Sequence, residues 1–226
     1  MSTTWSGTLQ IKEQIQKLVD NPVFETGGSL ANMLLPWTNA IVMEVCHNIN
    51  IRVHLKSASA VLTTSNYVWQ LPADFLKMSS RFTKFRVGDV YVDIIGVEEL
   101  NAKDPDHSET TSNSEPESVA IEGGNLYIYP AWAGTGVIEN FYRRPTDMVL
   151  DADIPDIPEE TLRTDLIVAG VVGKYCFPHI EEFELAKIYY NAETYPESGR
   201  FFTLLGLYKD HLGASASVWT NRGTYI

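Results

Sequence analysis

Residues 81–95 decide the fold class: they read Arg-Phe-Thr-Lys-Phe-Arg-Val-Gly-Asp-Val-Tyr-Val-Asp-Ile-Ile. Apolar and polar residues alternate on both sides of Gly88-Asp89, and a period of two is typical of β-strands. A Gly-Asp pair between two such runs favours a tight turn. Arg81–Val87 and Val90–Ile95 are therefore predicted to pair as a hairpin.

The period of two continues on both sides of this hairpin. Further short strands are predicted at Ala60–Thr64, Tyr67–Leu71, Val119–Glu122, Leu126–Tyr129 and Val137–Arg143, the last three forming a meander. Six or seven short strands joined by short turns predict a small antiparallel sandwich or barrel.

Helical patterns precede this β-rich region. Apolar residues recur at helical spacing in two stripes, Ile11, Ile15, Leu18, Val19 and then Leu30, Leu34, Trp37, Ile41, Val45. Pro36 lacks an amide hydrogen and distorts a helix interior. The second helix is therefore predicted to kink at Pro36, or to start near Leu35 with Pro36 in its first turn.

Three more helices are predicted after the β-rich region. Their ranges are Asp156–Tyr175, His179–Tyr195 and Phe201–Leu212, ended by Pro178, Pro196 and Gly213 in turn. In the first of them, Ala169, Gly170 and Gly173 form a strip of small residues. Such a strip lets another helix approach closely.

Together these patterns predict an α+β protein with three parts. Residues 1–56 and 150–212 form a helical bundle from the N- and C-terminal helices. Residues 57–149 form an inserted antiparallel β-sandwich or barrel. Residues 213–226 form an extended C-terminal tail.

The tail carries four apolar side chains, Val218, Trp219, Tyr225 and Ile226, among Gly and Ser residues. They need a surface to cover them, either on their own domain or on another subunit. A terminal tail buries little within its own fold, which favours the second alternative.

An acidic segment interrupts the β domain at residues 104–118. Its charged residues are Asp104, Asp106, Glu109, Glu115 and Glu117, without a single Lys or Arg. Such a stretch buries too little apolar area to offset its ordering entropy, so a mobile surface loop is predicted. A metal-binding loop is the alternative, although the carboxylates lack the glycine-punctuated spacing of calcium loops.

Charge and cysteine content exclude some classes of protein. The 226 residues include 17 Lys and Arg against 29 Asp and Glu, a net charge of −12. This balance argues against a protein that grips phosphate backbones, which needs clustered cations. Two cysteines, Cys46 and Cys176, are too few for a disulfide-stabilised scaffold.

Neither a signal peptide nor an apolar run of ~18–20 residues is present, so a soluble protein made in a cytoplasm is expected, without a membrane partner.

Candidate catalytic and metal-binding groups are weak. Cys176 and His179 have the spacing of half a zinc site, which Cys46 and His47 could complete, but buried thiols are the simpler interpretation. The pairs Glu98-Glu99 and Glu159-Glu160 are adjacent, and neighbours one apart on a helix do not face each other. We therefore predict no enzyme, no cofactor and no metal, with a hydrolase of dispersed carboxylates as a remote alternative.

Basic residues cluster slightly near aromatic ones. Arg81, Lys84 and Arg86 lie on one predicted strand, and Arg143-Arg144 end another. A nucleic-acid patch is one interpretation. The other, which we favour, is a set of strand-face cations opposite the acidic excess.

Four motifs in order resemble a known family. Tyr67-Val-Trp-Gln-Leu71-Pro72-Ala-Asp74-Phe75 resembles the Tyr-x-x-Leu-Pro-Ala-Asp-Phe segment of tailed-phage head-to-tail adaptor (connector) proteins, including the tail tubular protein A type. Ile121–Pro130, then Phe141-Tyr142-Arg143-Arg144-Pro145, then Pro155–Pro158 before an apolar helix resemble the segments that follow it. The resemblance covers residues 8–212.

The resemblance implies a structural virion protein. Family members form a ring, commonly of about twelve copies, between the portal and the tail nozzle or tail tube. The C-terminal tail contacts the portal, and DNA passes through the lumen on ejection. An acidic wall would let DNA slide without specific binding. The expected location is the capsid–tail junction, after synthesis in the bacterial host cytoplasm.

A binding module from a tail or baseplate is the alternative function. It would hold protein or carbohydrate through the β domain. Trp132 and Tyr127–Tyr129 would then be the residues that stack on sugars, unless they anchor the β core instead.

Overall fold

The computed structural model describes residues 11–62, 67–79, 83–103, 105, 116–150, 153–158, 162–193 and 197–221, and the side chains of 62 and 213–221 are not described. The chain divides into two compact units. A helical unit contains Met1–Ile51 and Pro145–Ile226, and a β unit contains Arg52–Arg144. The β unit is thus an insertion between two stretches of helical sequence.

The elements of the described residues follow in chain order. The helices are α1 (Ile11–Val19), α2 (Leu34–Asn48), α3 (Val97–Lys103), α4 (Arg163–Val171), α5 (Phe177–His179), α6 (Phe183–Tyr189) and α7 (Arg200–Asn221). A π-helical segment, Val172–Cys176, joins α4 to α5, and short 3-10 helices cover Pro22–Phe24, Ala31–Met33 and Arg52–His54. The strands are β1 (Leu55–Leu62), β2 (Val68–Gln70), β3 (Phe75–Lys77), β4 (Lys84–Val87), β5 (Val90–Ile95), β6 (Ser118–Glu122), β7 (Asn125–Tyr129) and β8 (Gly134–Arg143).

The first two helices follow their sequence signals. Ile11, Ile15 and Val19 of α1 are buried, as the helical stripe predicts. α2 begins at Leu34, so Pro36 lies in its first turn, where the missing amide has no helical acceptor. The predicted start near Leu35 is confirmed, and the alternative of a kink is not needed.

Helix α4 is buried on nearly all sides, as its apolar composition predicts. Its glycines permit close packing: a Cβ on Gly170 would lie 2.8 Å from Ile41 Cγ2 of α2 and 2.9 Å from Phe201 Cδ2 of α7. A Cβ on Gly173, in the π-helical segment, would lie 2.7 Å from the Cβ atoms of Tyr189 and Tyr190. The small-residue strip is therefore a contact between helices.

Three predicted helix boundaries are wrong. The described part of α4 begins at Arg163, and Asp156 instead accepts a hydrogen bond from the Thr146 amide at 2.7 Å. Within the described residues, the segment predicted at His179–Tyr195 is helical at His179, which ends α5, and over α6, and the chain turns between them at Glu181 with φ of 63°.

The third wrong boundary is the stop at Gly213. α7 continues to Asn221, so residues 213–221, which were predicted to belong to an extended tail, are helical. Glycine costs only about 1 kcal/mol in a helix interior, and the following Ala214 and Ala216 favour the helix.

One nearly closed, barrel-like sheet forms the β unit. Its strand order is β1-β8-β4-β5-β6-β7-β2, and β3 also pairs with β8. The predicted hairpin is confirmed: β4 and β5 pair antiparallel with Val87 opposite Val90, and Gly88 takes a positive φ of 56° in the turn.

The sheet departs from the prediction in two pairings. β5 and β6 run parallel, with Ile94 opposite Val119, so the sheet is not wholly antiparallel. β8 pairs with β1, β3 and β4 rather than β7, so the last three strands are not a meander. β8 is long enough, at ten residues, to hold β1 along one edge and β3 and β4 along the other.

Alternating side chains fill the interior of this sheet. β7 alternates between half-buried and buried residues, with Leu126 and Ile128 facing inward. The buried core comprises Leu71, Phe85, Val87, Val92, Val119, Leu126, Ile128, Ile138 and Phe141. The period of two thus matches a barrel-like sheet with one apolar face.

Candidate assembly surfaces

The Leu-Pro-Ala-Asp-Phe motif forms a turn that ties β3 to β8. The Phe75 amide donates to Pro72 O at 2.8 Å, and the Asp74 carbonyl accepts from the Arg144 amide at 2.6 Å. The Asp74 carboxylate accepts from Lys56 Nζ at 2.6 Å, and the Phe75 ring lies 5.3 Å from that of Phe141. Asp74 and Phe75 are therefore framework residues.

The remaining motif residues also build the framework. The Ile128 amide of β7 donates a hydrogen bond to the Tyr67 carbonyl. The Leu71 amide donates one to the carbonyl of Gly124, just before β7. Tyr142 is buried, with Lys77 Nζ 5.5 Å above its ring.

Two more motif positions end the insertion. Arg143 lies opposite Phe75 in the β3–β8 register, and Pro145 is the first residue of the returning helical stretch. The structure thus brings Asp74, Phe75, Tyr142 and Arg143 together on β3 and β8, while Tyr67 and Leu71 lie by β7.

The basic strand residues have partners on the same sheet. Arg86 Nε lies 2.8 Å from Glu139 Oε1, and this hydrogen bond raises the pKa of Arg86. Lys84 Nζ lies 4.7 Å above the ring of Tyr91, whose hydroxyl donates to Glu139 at 3.3 Å. These contacts agree with strand-face cations that balance acidic residues; Arg81 lies outside the described residues.

The candidate zinc ligands have other surroundings. Cys46 and Cys176 are buried thiols that are not joined in a disulfide, and burial raises the pKa of Cys176 to about 12. His47 Nδ1 and His179 Nδ1 bond to the Met43 and Tyr175 carbonyls at 3.1 and 2.7 Å. Within the described ranges, no group of three or more metal-ligating side chains comes together.

The other candidates from the sequence are placed as follows. Glu98 and Glu99 lie exposed in the first turn of α3, where they suit the helix dipole. The ring of Trp132 is half-buried, packs against the β core and covers Gly134, so it anchors the core. Glu159-Glu160 and most of the acidic segment 104–118 lie outside the described residues.

An exposed apolar turn precedes the last helices. Val149 and Leu150 are 73% and 65% exposed. The Asp153 carboxylate accepts from both of their amides, at 2.7 and 2.8 Å, and these bonds lower its pKa. We call Val149, Leu150 and Asp153 the apolar knob. The sequence did not predict this turn, although Asp is one of the residues that favour turns because its side chain bonds to nearby backbone.

A groove of about 320 Å³ lies among α1, α4, α6 and α7. We call it the helical groove. Its apolar lining includes Leu18, Val168 and Ala169, and its charged lining includes Lys17, Asp165 and Arg200. Arg200 and Asp165 are about half exposed and 3.7 Å apart, a weak pair. The sequence analysis named two of its lining residues, Leu18 and Ala169, as packing residues and did not predict the groove.

Helix α6 presents a third apolar surface. Phe183 is 57% exposed, and Ile188 and Leu185 are exposed as well, whereas Ala186 is the buried residue of this helix. Large apolar side chains grouped on one short helix are typical of an interaction site.

Glu44 links α2 to the π-helical segment and to the end of α6. Its two carboxylate oxygens accept from Lys174 Nζ at 2.7 Å and the Tyr190 hydroxyl at 2.6 Å. Burial and the Glu44 hydrogen bond raise the pKa of Tyr190 to about 12. Burial alone would lower the pKa of Lys174, but Glu44 raises it above its ordinary value.

This network predicts a loss of stability in alkali. The folded pKa of Tyr190 exceeds the unfolded value of about 10, so the native state holds the proton more tightly. Its contribution is complete below about pH 10 and is lost as the pH rises towards 12. In Tyr190→Phe, urea midpoints between pH 9 and 12 should fall less steeply than in the wild type. Tyr189→Phe, a change of the same size nearby, is the control and should keep the wild-type slope.

The candidate docking residues lie at the end of the chain. Val218 and Trp219 belong to α7, with side chains outside the described set, and Tyr225 and Ile226 follow the last described residue. In the described part of the chain, no helix has the length and apolar character required to cross a bilayer.

The chain matches a known protein family. The family described as SU10 adaptor protein matches residues 8–210, which include every motif residue named above and most of both units. No curated protein matches the chain.

Proposed function

Because the chain belongs to the SU10 adaptor protein family, a phage head-to-tail adaptor family, we propose that it forms a ring that joins the portal to the tail. The family is structural and in general non-enzymatic, and it implies a place in the virion. It also implies contacts with other virion proteins such as portal and tail proteins. The match over residues 8–210 is the observation that carries the proposal.

The finer features of the proposal come from the motif resemblance. They are a ring of about twelve copies, a tail nozzle or tail tube on one side, and a DNA channel through the centre. The net charge of −12 per copy supports a channel that DNA crosses without specific binding, because acidic walls repel phosphates. Kinship with the tail tubular protein A type belongs to the same proposal.

The length of α7 supports docking of the chain end on another protein. Its 22 residues span about 33 Å at 1.5 Å per residue. Val218 lies 18 residues from Arg200, about 27 Å along this helix. We propose that Val218, Trp219, Tyr225 and Ile226 bind the portal.

Deleting Gly213–Ile226 should abolish portal binding and leave a folded protein. The buried residues in the described part of α7 are Phe201, Leu204 and Tyr208, and all precede the cut. The measurement is co-sedimentation of wild-type and truncated protein with purified portal rings. Thermal unfolding monitors the fold of each.

A shorter deletion removes only Val218–Ile226 and should abolish portal binding as completely as the longer deletion does. Undiminished binding by both truncated proteins would show that the chain end is not the docking element. A wild-type protein that never binds portal rings would contradict the proposed function itself.

A further inference from the structure

We propose that the apolar knob of one copy binds the helical groove of the next copy and so joins neighbours in the ring. This rests on the proposed function, which supplies the second copy. Both surfaces lie in the helical unit of the chain.

The knob is held ready for binding. Two hydrogen bonds to Asp153 fix the backbone at Val149 and Leu150, and the Asp153 amide donates to Leu150 O at 3.0 Å. Both side chains nevertheless stay mostly in water. A contact made by a fixed turn loses less conformational entropy than one made by a loose loop.

The groove offers an apolar lining of suitable size. Leu18 is 39% exposed, and Val168 and Ala169 line the groove with it. A volume of about 320 Å³ accommodates aliphatic side chains the size of valine and leucine. Binding would remove Leu18, Val149 and Leu150 from water together.

The charges of the two surfaces are complementary. The described residues of 145–158, which carry the knob, include Asp147, Asp153 and Asp156 and no Lys, Arg or His. The groove carries two cations, Lys17 and Arg200, against one carboxylate, Asp165. Opposite charges around an apolar contact fix its register and disfavour other partners.

The contact joins different surfaces of identical copies. Such head-to-tail contacts form a closed ring when the rotation per copy divides a full turn. A two-fold dimer would instead pair each surface with itself. The proposal therefore predicts contacts between knob and groove, and none between two knobs or two grooves.

Cysteine cross-linking tests this pairing in the full-length chain. Cys46 and Cys176 are both buried, so an introduced surface cysteine is the reactive one. Leu18→Cys protein is mixed with Leu150→Cys protein and treated with a short bismaleimide. We expect cross-linked dimers at a yield at least about tenfold above the control mixture. The control pairs Leu18→Cys with Val53→Cys, since Val53 is 69% exposed in the β unit.

A second variant examines the charges. Adding Lys17→Glu to the Leu18→Cys copy should lower the dimer yield by about tenfold. Each single-cysteine protein alone should give no more dimer than the control mixture. A knob–groove yield equal to the control, or an equal yield from Leu150→Cys alone, would overturn the proposal.

Portal binding separates this inference from the proposed function. Wild-type protein that binds portal rings while the knob–groove cross-link fails leaves the function intact and removes the interface. Cross-linked dimers together with no portal binding would keep the interface and contradict the function.

Discussion

Gly170→Leu should destabilise the helical unit by ~1–3 kcal/mol or more. The glycine is buried on α4, and a Cβ would meet Ile41 of α2 at 2.8 Å and Phe201 of α7 at 2.9 Å. A leucine side chain at this position would clash with both helices, so a shift away from one helix would increase the clash with the other. At about 2–4 °C per kcal/mol, the melting temperature should fall by roughly 2–12 °C or more.

Gly206→Ala is the matched control on α7. No heavy atom lies within 4 Å of the position that its Cβ would take. Alanine should therefore favour the helix by up to about 1 kcal/mol and raise the melting temperature slightly. Thermal unfolding of both variants by circular dichroism decides the matter, and an unaltered melting temperature for Gly170→Leu would refute the close interhelical contact.

Phe141→Ala should cost the β unit about 3–5 kcal/mol. Phe141 is fully buried on β8, which holds β1, β3 and β4, and its ring packs 5.3 Å from Phe75. Alanine would leave a cavity that strands fixed by hydrogen bonds on both edges of β8 cannot close. The substitution would also remove the contact between β8 and Phe75 of the family motif.

Phe183→Ala provides the comparison, because Phe183 is exposed on α6 and its loss should change stability by less than about 0.5 kcal/mol. Because the chain has two compact units, hydrogen exchange of the β8 amides should report on the β unit, and that of the α4 amides on the helical unit. Equal protection of β8 in both variants would be evidence against the role of Phe141 in the core.

Local signals predicted those parts of the fold whose partners are close in sequence. The hairpin of β4 and β5 was predictable because alternation and the turn at Gly88 agree. Pro36 likewise indicated a start of α2 near Leu35, one of the two alternatives that the sequence left open. The parallel pairing of β5 with β6 was not predictable, since 22 residues separate Ile95 from Ser118 and no local pattern encodes the direction of return.

The assembly surfaces depend even more on tertiary structure. The motif residue Asp74 could be recognised, but its bonds join Lys56, 18 positions away, and the Arg144 amide. The helical groove needs four helices in place, so no single stretch of sequence indicates it. The knob could have been found from Asp153, whose side chain bonds only to nearby backbone amides.

The parallel direction of β5 and β6 makes the intervening chain a tether of fixed minimum reach. A parallel neighbour starts at the same edge as its predecessor, so the chain after Ile95 must travel back along the sheet before Ser118. Trimming the connection therefore meets a limit: once it is too short to span the sheet, β6 can no longer pair parallel to β5.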